Sequence, residues 1–471
     1  MSDKLQTARE YILRKIENGE LRGGDKLPAA REYSDELGVS LAITQMAFTS
    51  LTRDGILTSV PRQGTYVRKD WNERILPGSF QTFRPVWKEV LGDLISRDIP
   101  GVRVCDKFRN GIYEINTTWA AQFRQEEYLD LAGLFEEVYP ERGDFFMSQF
   151  HSSYSRNGKL YGIPLIFSPW VISCNIDMIR RAGAEVPQPG WSWTDFITLV
   201  RQLRQVYPPE QTITLFQTPS FWMSFLFRAG GAIVVRENDR YDVRLDNPQT
   251  MNGFRKLREL QQVLQASGTP SHIRAKESFL NGTMALFGGT REDMNFNSDL
   301  NWICVPLPVI PGGIDRTRQA SDLFCVRKQA NDFEEVKAMI RLLLSPEVQE
   351  RLGKVRYGIP IRRSAAIRSF DEEDPRDAVF FSEMTRISPD CSLAWPELYQ
   401  MVFDCMNRIW QNNLDPEAIV PELASAMRIF IDYNSPPPGD REKRQPQGGA
   451  EQAEKFPEAS VCTALQSAYF S

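Results

Sequence analysis

Histidine is almost absent: the 471-residue chain has two, His151 and His272. That leaves too little material for a histidine-based metal site or a Ser/His/Asp triad. The seven cysteines, Cys105, Cys174, Cys304, Cys325, Cys391, Cys405 and Cys462, are odd in number and show no C-x-x-C spacing. A zinc ribbon and a disulfide framework are thereby excluded, and reduced, buried thiols are expected. Charge of one sign is also missing, since 56 basic residues face 61 acidic ones for a net charge of −5. Without a global positive field, any contact with nucleic acid must be local. No stretch approaches the roughly 18 uninterrupted apolar residues of a membrane span. The opening "MSDKLQTAREYILRKIENGE" has no apolar core of a signal peptide, so a cytoplasmic protein is expected, with no membrane partner and no cofactor.

What is present is length and apolar content, 42 % of the chain, enough for at least two cores. Leu5, Ala8, Ile12, Leu13 and Ile16 recur at three and four residues and mark one buried helix face, ended by Gly19. A second helix follows Pro28. Gly38 permits a left-handed turn and Ser40 can cap a third helix with Ile43, Ala47 and Leu51 inward. In "ILTSVPRQGTYVRKD" strand-forming residues flank a basic, glycine-bearing tip, which reads as a hairpin. Helix, helix-turn-helix and hairpin in that order make an α+β winged helix.

Within this stretch "KLP", "AREYSDELGVS", "AFTSLTRDGIL" and "RQGTYV" resemble the DNA-binding domain of GntR-family transcription regulators, over residues 5 to 69. The resemblance implies a dimer on double-stranded operator DNA. It sets Ser40, Thr44 and Gln45 toward the major groove, Arg31 on a phosphate, and Arg62, Gln63 and Gly64 at the wing tip. The sequence departs from the family pattern at Leu41 and Gln45, where arginine is usual. Gln45 can read adenine, but Leu41 cannot hold a phosphate.

The winged helix is assigned to residues 1–69 and a polar, Pro/Gly-punctuated linker to 70–79. Beyond it strands and helices alternate, as in "VWKEVLGDLISRDI", "VRVCDKF" and "TDFITLVRQLRQV", the last opened by Thr194 as cap. Such alternation predicts α/β layers with mainly parallel sheets. Residues 434–471 begin with a low-complexity stretch and are expected to be disordered.

The segment "NGKLYGIPLIFSPWVISCNIDMIRRAGAEVPQPGWSWTDFITLVRQL" (157–203) resembles extracellular solute-binding proteins of the sugar-binding type. So do "SFLNGTMALFGGTRE", "WICVPLPVIPGG" and "LLLSPEVQERLGKVRYGIPIRRSAA", in colinear order. This implies a bilobal α/β domain of the periplasmic-binding-protein type over residues 80–433. The chain would cross between lobes near Pro164–Ser168 and return near Pro306–Pro311. Sugar sites combine aromatic platforms with planar polar groups, so the ligand candidates are Trp119, Phe167, Ser168, Trp170, Trp222, Arg291, Asp322 and Trp395. Trp191, Trp193 and Trp302 read as core. Arg291 stands where the family can place a stacking tryptophan, and its guanidinium suits a carboxylate, which predicts an acidic sugar.

Together these features imply a regulator that is not an enzyme, in which a small carbohydrate effector sets operator binding. Two alternatives are a large domain that serves protein assembly with an empty cleft, and a cleft hydrolase using Glu114 and Asp322 as paired carboxylates.

Overall fold

The computed structural model describes residues 3–434 except 72–73, 83, 106–109, 119–120, 122–123, 151–154, 157–158, 214–218, 238–239, 266–270 and 388–395. The low-complexity tail lies outside them. The chain divides into two compact units. Unit one takes 1–150, 154–167 and 321–369, and unit two takes 151–153, 168–320 and 370–471. The chain leaves unit one where expected, but it returns at 320/321, some ten residues later than the sequence suggested, and departs again at 369/370. The delay has a local cause: Trp302–Val305 is still a strand of unit two, and Gln319–Val326 is the strand that carries the chain back.

Unit one begins with helices α1 (Asp3–Glu17), α2 (Ala30–Leu37) and α3 (Leu41–Arg53), followed by strands β1 (Leu57–Val60) and β2 (Gly64–Val67). β1 and β2 form an antiparallel hairpin from Leu57↔Val67 to Val60↔Gly64. Leu5, Ala8, Ile12, Leu13 and Ile16 of α1 meet Ala47 and Leu51 of α3 in one core, with Ile43 packed against it. Full burial of each large aliphatic side chain contributes roughly 1.5–3 kcal/mol. Gly38 caps α2 at φ 61° and Ser40 Oγ accepts from the Ile43 N–H at 3.4 Å, so both turn residues act as their chemistry predicts. Arg9 ties α1 to the end of α3 through Asp54 at 2.7 Å and the Ser50 hydroxyl.

The linker is shorter than read, because Ile75–Thr82 is a strand. It pairs in parallel with Arg103–Cys105 on one side and Asn110–Thr117 on the other. Pro77 and Gly78 suggested a loop, but pairing on both flanks overrides local preference. The same sheet continues through Gln319–Val326 and Ile163–Pro169 to Ile359–Pro360. The sheets are mixed rather than mainly parallel: Gln319–Val326 is antiparallel to Asn110–Thr117, and the three-stranded sheet of unit two is antiparallel throughout. The sense in which strands pair is set by how distant segments come together, which the alternation of elements does not reveal.

In unit two the helix Trp193–Val206 is capped by Ser192 rather than Thr194. The Ser192 Oγ accepts from Asp195 N–H, and the Asp195 carboxylate accepts from Ser192 N–H at 2.8 Å. Trp193, Phe196, Phe221 and Phe225 form an aromatic cluster with centroids 5.3 to 6.3 Å apart. Trp191 is buried with its indole N–H on the Pro306 carbonyl at 2.8 Å, and Trp302 packs between Phe279 and Phe296, so all three tryptophans read as core are core. Cys174, Cys304 and Cys325 are buried free thiols whose burial pushes them above the ordinary range. Cys405 is half-buried and pushed up to about 11.

Candidate functional site

α3 exposes its N-terminal half. Ser40 and Gln45 are exposed as expected, whereas Thr44 is fully buried. At 100° per residue Thr44 falls on the arc of Ala47 and Leu51, so it belongs to the core and not to a DNA-facing surface. Arg31 stands exposed in the first turn of α2. At the hairpin tip Arg62 adopts φ 63° and is exposed with Gln63 and Gly64. Gly64 has φ +122°, a conformation strained for any residue with a side chain, and a Cβ there would also meet Lys26 Cε at 2.7 Å, which the flexible lysine can relieve by moving.

Of the ligand candidates, Trp119 and Trp395 lie outside the described residues, as does His151. Phe167 is buried in unit one with Phe146 edge-on at 5.3 Å. Ser168 and Arg291 meet in unit two, where the buried hydroxyl accepts from the Arg291 backbone N–H at 2.8 Å. Trp222 is fully buried, which marks it as packing.

Arg291 corrects the expectation most sharply. Its side chain is 0 % exposed and its guanidinium donates to both oxygens of Asp377, itself 0 % exposed, at 2.7 and 3.0 Å. Phe296 and Phe381 rings lie 5.7 and 5.5 Å from the guanidinium carbon. A guanidinium spent on an internal carboxylate is not offered to a ligand's, so the basis for an acidic sugar is removed.

Two candidates keep unsatisfied polar atoms. In unit one, Trp87 Nε1 and Tyr357 OH donate to Asp322 Oδ2 at 2.7 and 2.6 Å, with Arg84 Nε 3.7 Å from Oδ1. Asp322 Oδ1 itself is buried with no hydrogen-bond partner. In unit two, Trp170 packs against Phe221 and His272, and its buried indole N–H has no partner. His272 also reaches Asp293 at 3.1 Å. Sequence reading missed Trp87, Tyr357, His272 and Asp377. Trp87 carried a signal, as a tryptophan in the first turn of a helix beginning at Pro85.

Glu114 is equally committed. It accepts from Arg327, Arg124, Tyr128 and Asn116 at 2.6, 3.1, 2.8 and 2.7 Å. Burial pushes its carboxyl up, opposed by the Arg124 charge. Glu114 pairs with Cys325, three residues from Asp322 on an adjacent strand. An odd spacing places side chains on opposite faces of a sheet, so the two carboxylates cannot flank one bond.

Residues 112–376 match the family described as bacterial extracellular solute-binding protein. The chain belongs to that family. Residues 4–67 match bacterial regulatory proteins of the gntR family, which makes the N-terminal winged helix a gntR-type helix-turn-helix domain. The HTH-type transcriptional repressor NagR of Bacillus subtilis (strain 168) is 35 % identical over 69 residues, 15 % of this chain and 28 % of that protein. The uncharacterized HTH-type transcriptional regulator YcbG of the same organism is 42 % identical over 57 residues, 12 % and 24 %. The match thus spans about a quarter of the length of these relatives.

Solved structures share the fold of the large domain. The GacH receptor of Streptomyces glaucescens, solved unliganded and with acarbose, aligns at TM-score 0.61 and 14 % identity over 76 % of this chain and 99 % of its own. UgpB from Mycobacterium tuberculosis, in complex with glycerophosphocholine, aligns at 0.63 and 15 % over 76 % and 99 %. A transporter solute-binding protein from Thermotoga lettingae bound with α-D-tagatose aligns at 0.62 and 12 % over the same shares. Both matched families are non-enzymatic, and no helix among the described residues is long and apolar enough to cross a membrane.

Proposed function

We propose that this protein is a cytoplasmic transcription regulator whose solute-binding domain takes up a small carbohydrate and thereby sets the affinity of the winged helix for operator DNA. The observation that carries the reading is the union on one chain of a gntR helix-turn-helix and a solute-binding domain. A solute-binding fold beside a DNA-binding output can convert ligand occupancy into a population shift, provided the ligand favours one conformer. Each unit separately supports the ligand half: Asp322 Oδ1 in unit one is an acceptor near the Trp87 and Tyr357 rings, Trp170 Nε1 in unit two is a donor near Phe221, and such groups are what hydroxyls and sugar C–H faces require. Carbohydrate is favoured because acarbose and tagatose occupy two of the structural neighbours.

Thermal melting against a panel of neutral mono- and oligosaccharides tests this, because a ligand bound only by the folded state raises stability as RT ln(1 + [L]/Kd). At least one sugar is expected to raise the melting temperature. Asp322→Asn keeps an acceptor for Trp87 and Tyr357 while removing the charge, so it should weaken that sugar about ten- to a hundredfold with little change in the apo melting temperature. If no sugar shifts melting and none alters DNA binding, the large domain is an assembly module instead.

On the DNA side, a pair of chains on a two-fold operator is expected, since one short recognition helix reads only a few base pairs. Arg62→Ala at the wing should lower the log–log salt slope of DNA binding by about one, the signature of a lost phosphate contact, and leave sugar affinity unchanged. Anisotropy titrations over a salt series, with light scattering of the same complex, check both. An unaltered slope removes the wing from the interface, and one chain per duplex removes the dimer.

A further inference from the structure

The first charge in α3 is Arg53, in its last turn; positions 41 to 52 are all uncharged. With Thr44, Ala47 and Leu51 turned into the core, the face left to solvent over positions 41 to 49 consists of Leu41, Ala42, Gln45, Met46 and Thr49. At 100° per residue these five side chains span an arc of about 140°. Leu41 is 41 % and Met46 55 % exposed, an apolar pair on either side of one amide.

That chemistry is selective among base pairs. A guanine edge is read best by arginine or lysine and the cytosine amino group by a carboxylate, and positions 41 to 49 of this face offer none of these. Gln45 can bond bidentately to adenine N6 and N7, and apolar side chains fit the thymine methyl group, so one A·T pair presents both partners in the major groove. We infer that α3 recognises A·T pairs through its first nine residues, with Gln45 on the adenine edge and Leu41, Ala42 and Met46 against thymine methyl groups, while Arg53, on the same arc but one turn beyond Thr49 at the far end of the helix, and Arg31 and Arg62, outside α3, anchor phosphates. This rests on the winged helix binding DNA, and it names the sequence class such binding selects. Burying Leu41 and Met46 against methyl groups also explains large apolar residues on a solvent-facing helix.

The test uses the full chain and a pool of duplexes with a randomised centre, carried through rounds of binding and amplification. The enriched half-site is expected to hold A·T pairs. Resynthesis with deoxyuridine for thymidine deletes only the methyl group, and each contacted position should lose about fourfold in affinity, the worth of one buried carbon. Leu41→Ala, at an exposed position, should melt like the wild type and lose discrimination between thymidine and deoxyuridine at one position. An enriched duplex that is G·C at its centre, or is bound equally well with deoxyuridine, overturns the inference while leaving DNA binding intact. If no duplex is enriched, both readings fail. In that case, a fall in oligomer mass on Met46→Ala would assign the face to self-association.

Discussion

Arg291→Ala is expected to destabilise unit two by roughly 3–5 kcal/mol, because it leaves a carboxylate buried without its partner. Asp377 is 0 % exposed and receives two of its hydrogen bonds from this guanidinium, with the Asp371 backbone N–H as a third donor at 3.2 Å. Neither water nor a neighbouring cation can take over at zero exposure without local opening. Removing both charges is a different experiment. Arg291→Met with Asp377→Leu fills the space between Phe296 and Phe381 with apolar atoms and should cost far less than the single change, since well-packed replacements of buried ion pairs are often near neutral. Urea unfolding of the two variants, read at the midpoint, decides the matter. A single variant as stable as the wild type would mean that Asp377 is not buried in solution.

Asp322→Ala is expected to cost roughly 2–6 kcal/mol, about 1–3 for each of two buried donors that lose this acceptor. The donors are Trp87 Nε1, on a side chain with no exposure, and Tyr357 OH, and their rings meet edge to face at 5.8 Å. Arg84 also loses its nearest carboxylate oxygen. Trp87→Phe and Tyr357→Phe each remove one donor and leave the acceptor partly satisfied, so each should cost less than Asp322→Ala. In a double-mutant cycle, Trp87→Phe should add little to Asp322→Ala, because the indole N–H is already orphaned. Full additivity would show that the hydrogen bond carries no coupling energy.

These effects separate what was legible in the chain from what was not. The winged helix was legible almost residue by residue. The period of Leu5, Ala8, Ile12, Leu13 and Ile16, the left-handed Gly38 and the Ser40 cap are local features, decided within one or two turns of backbone. The large domain was legible as a colinear set of soft motifs, and residues 112–376 do match a solute-binding family. Thr44 was misplaced by analogy of position, although its own helical angle put it with Ala47 and Leu51.

Arg291 and Trp222 were misjudged for a different reason. Tryptophan, arginine and aspartate suit a binding cleft and a buried network equally well, and residue type alone does not choose between them. The choice rests on partners far away in sequence. Asp377 lies 86 residues beyond Arg291, and Trp87 lies 235 before Asp322. The chain sequence determined the local elements and their order, because backbone dihedrals and the apolar period act over a few residues. Only the tertiary structure decided which charges are spent internally and which polar atoms are left over, because that depends on strands and helices brought together across hundreds of residues.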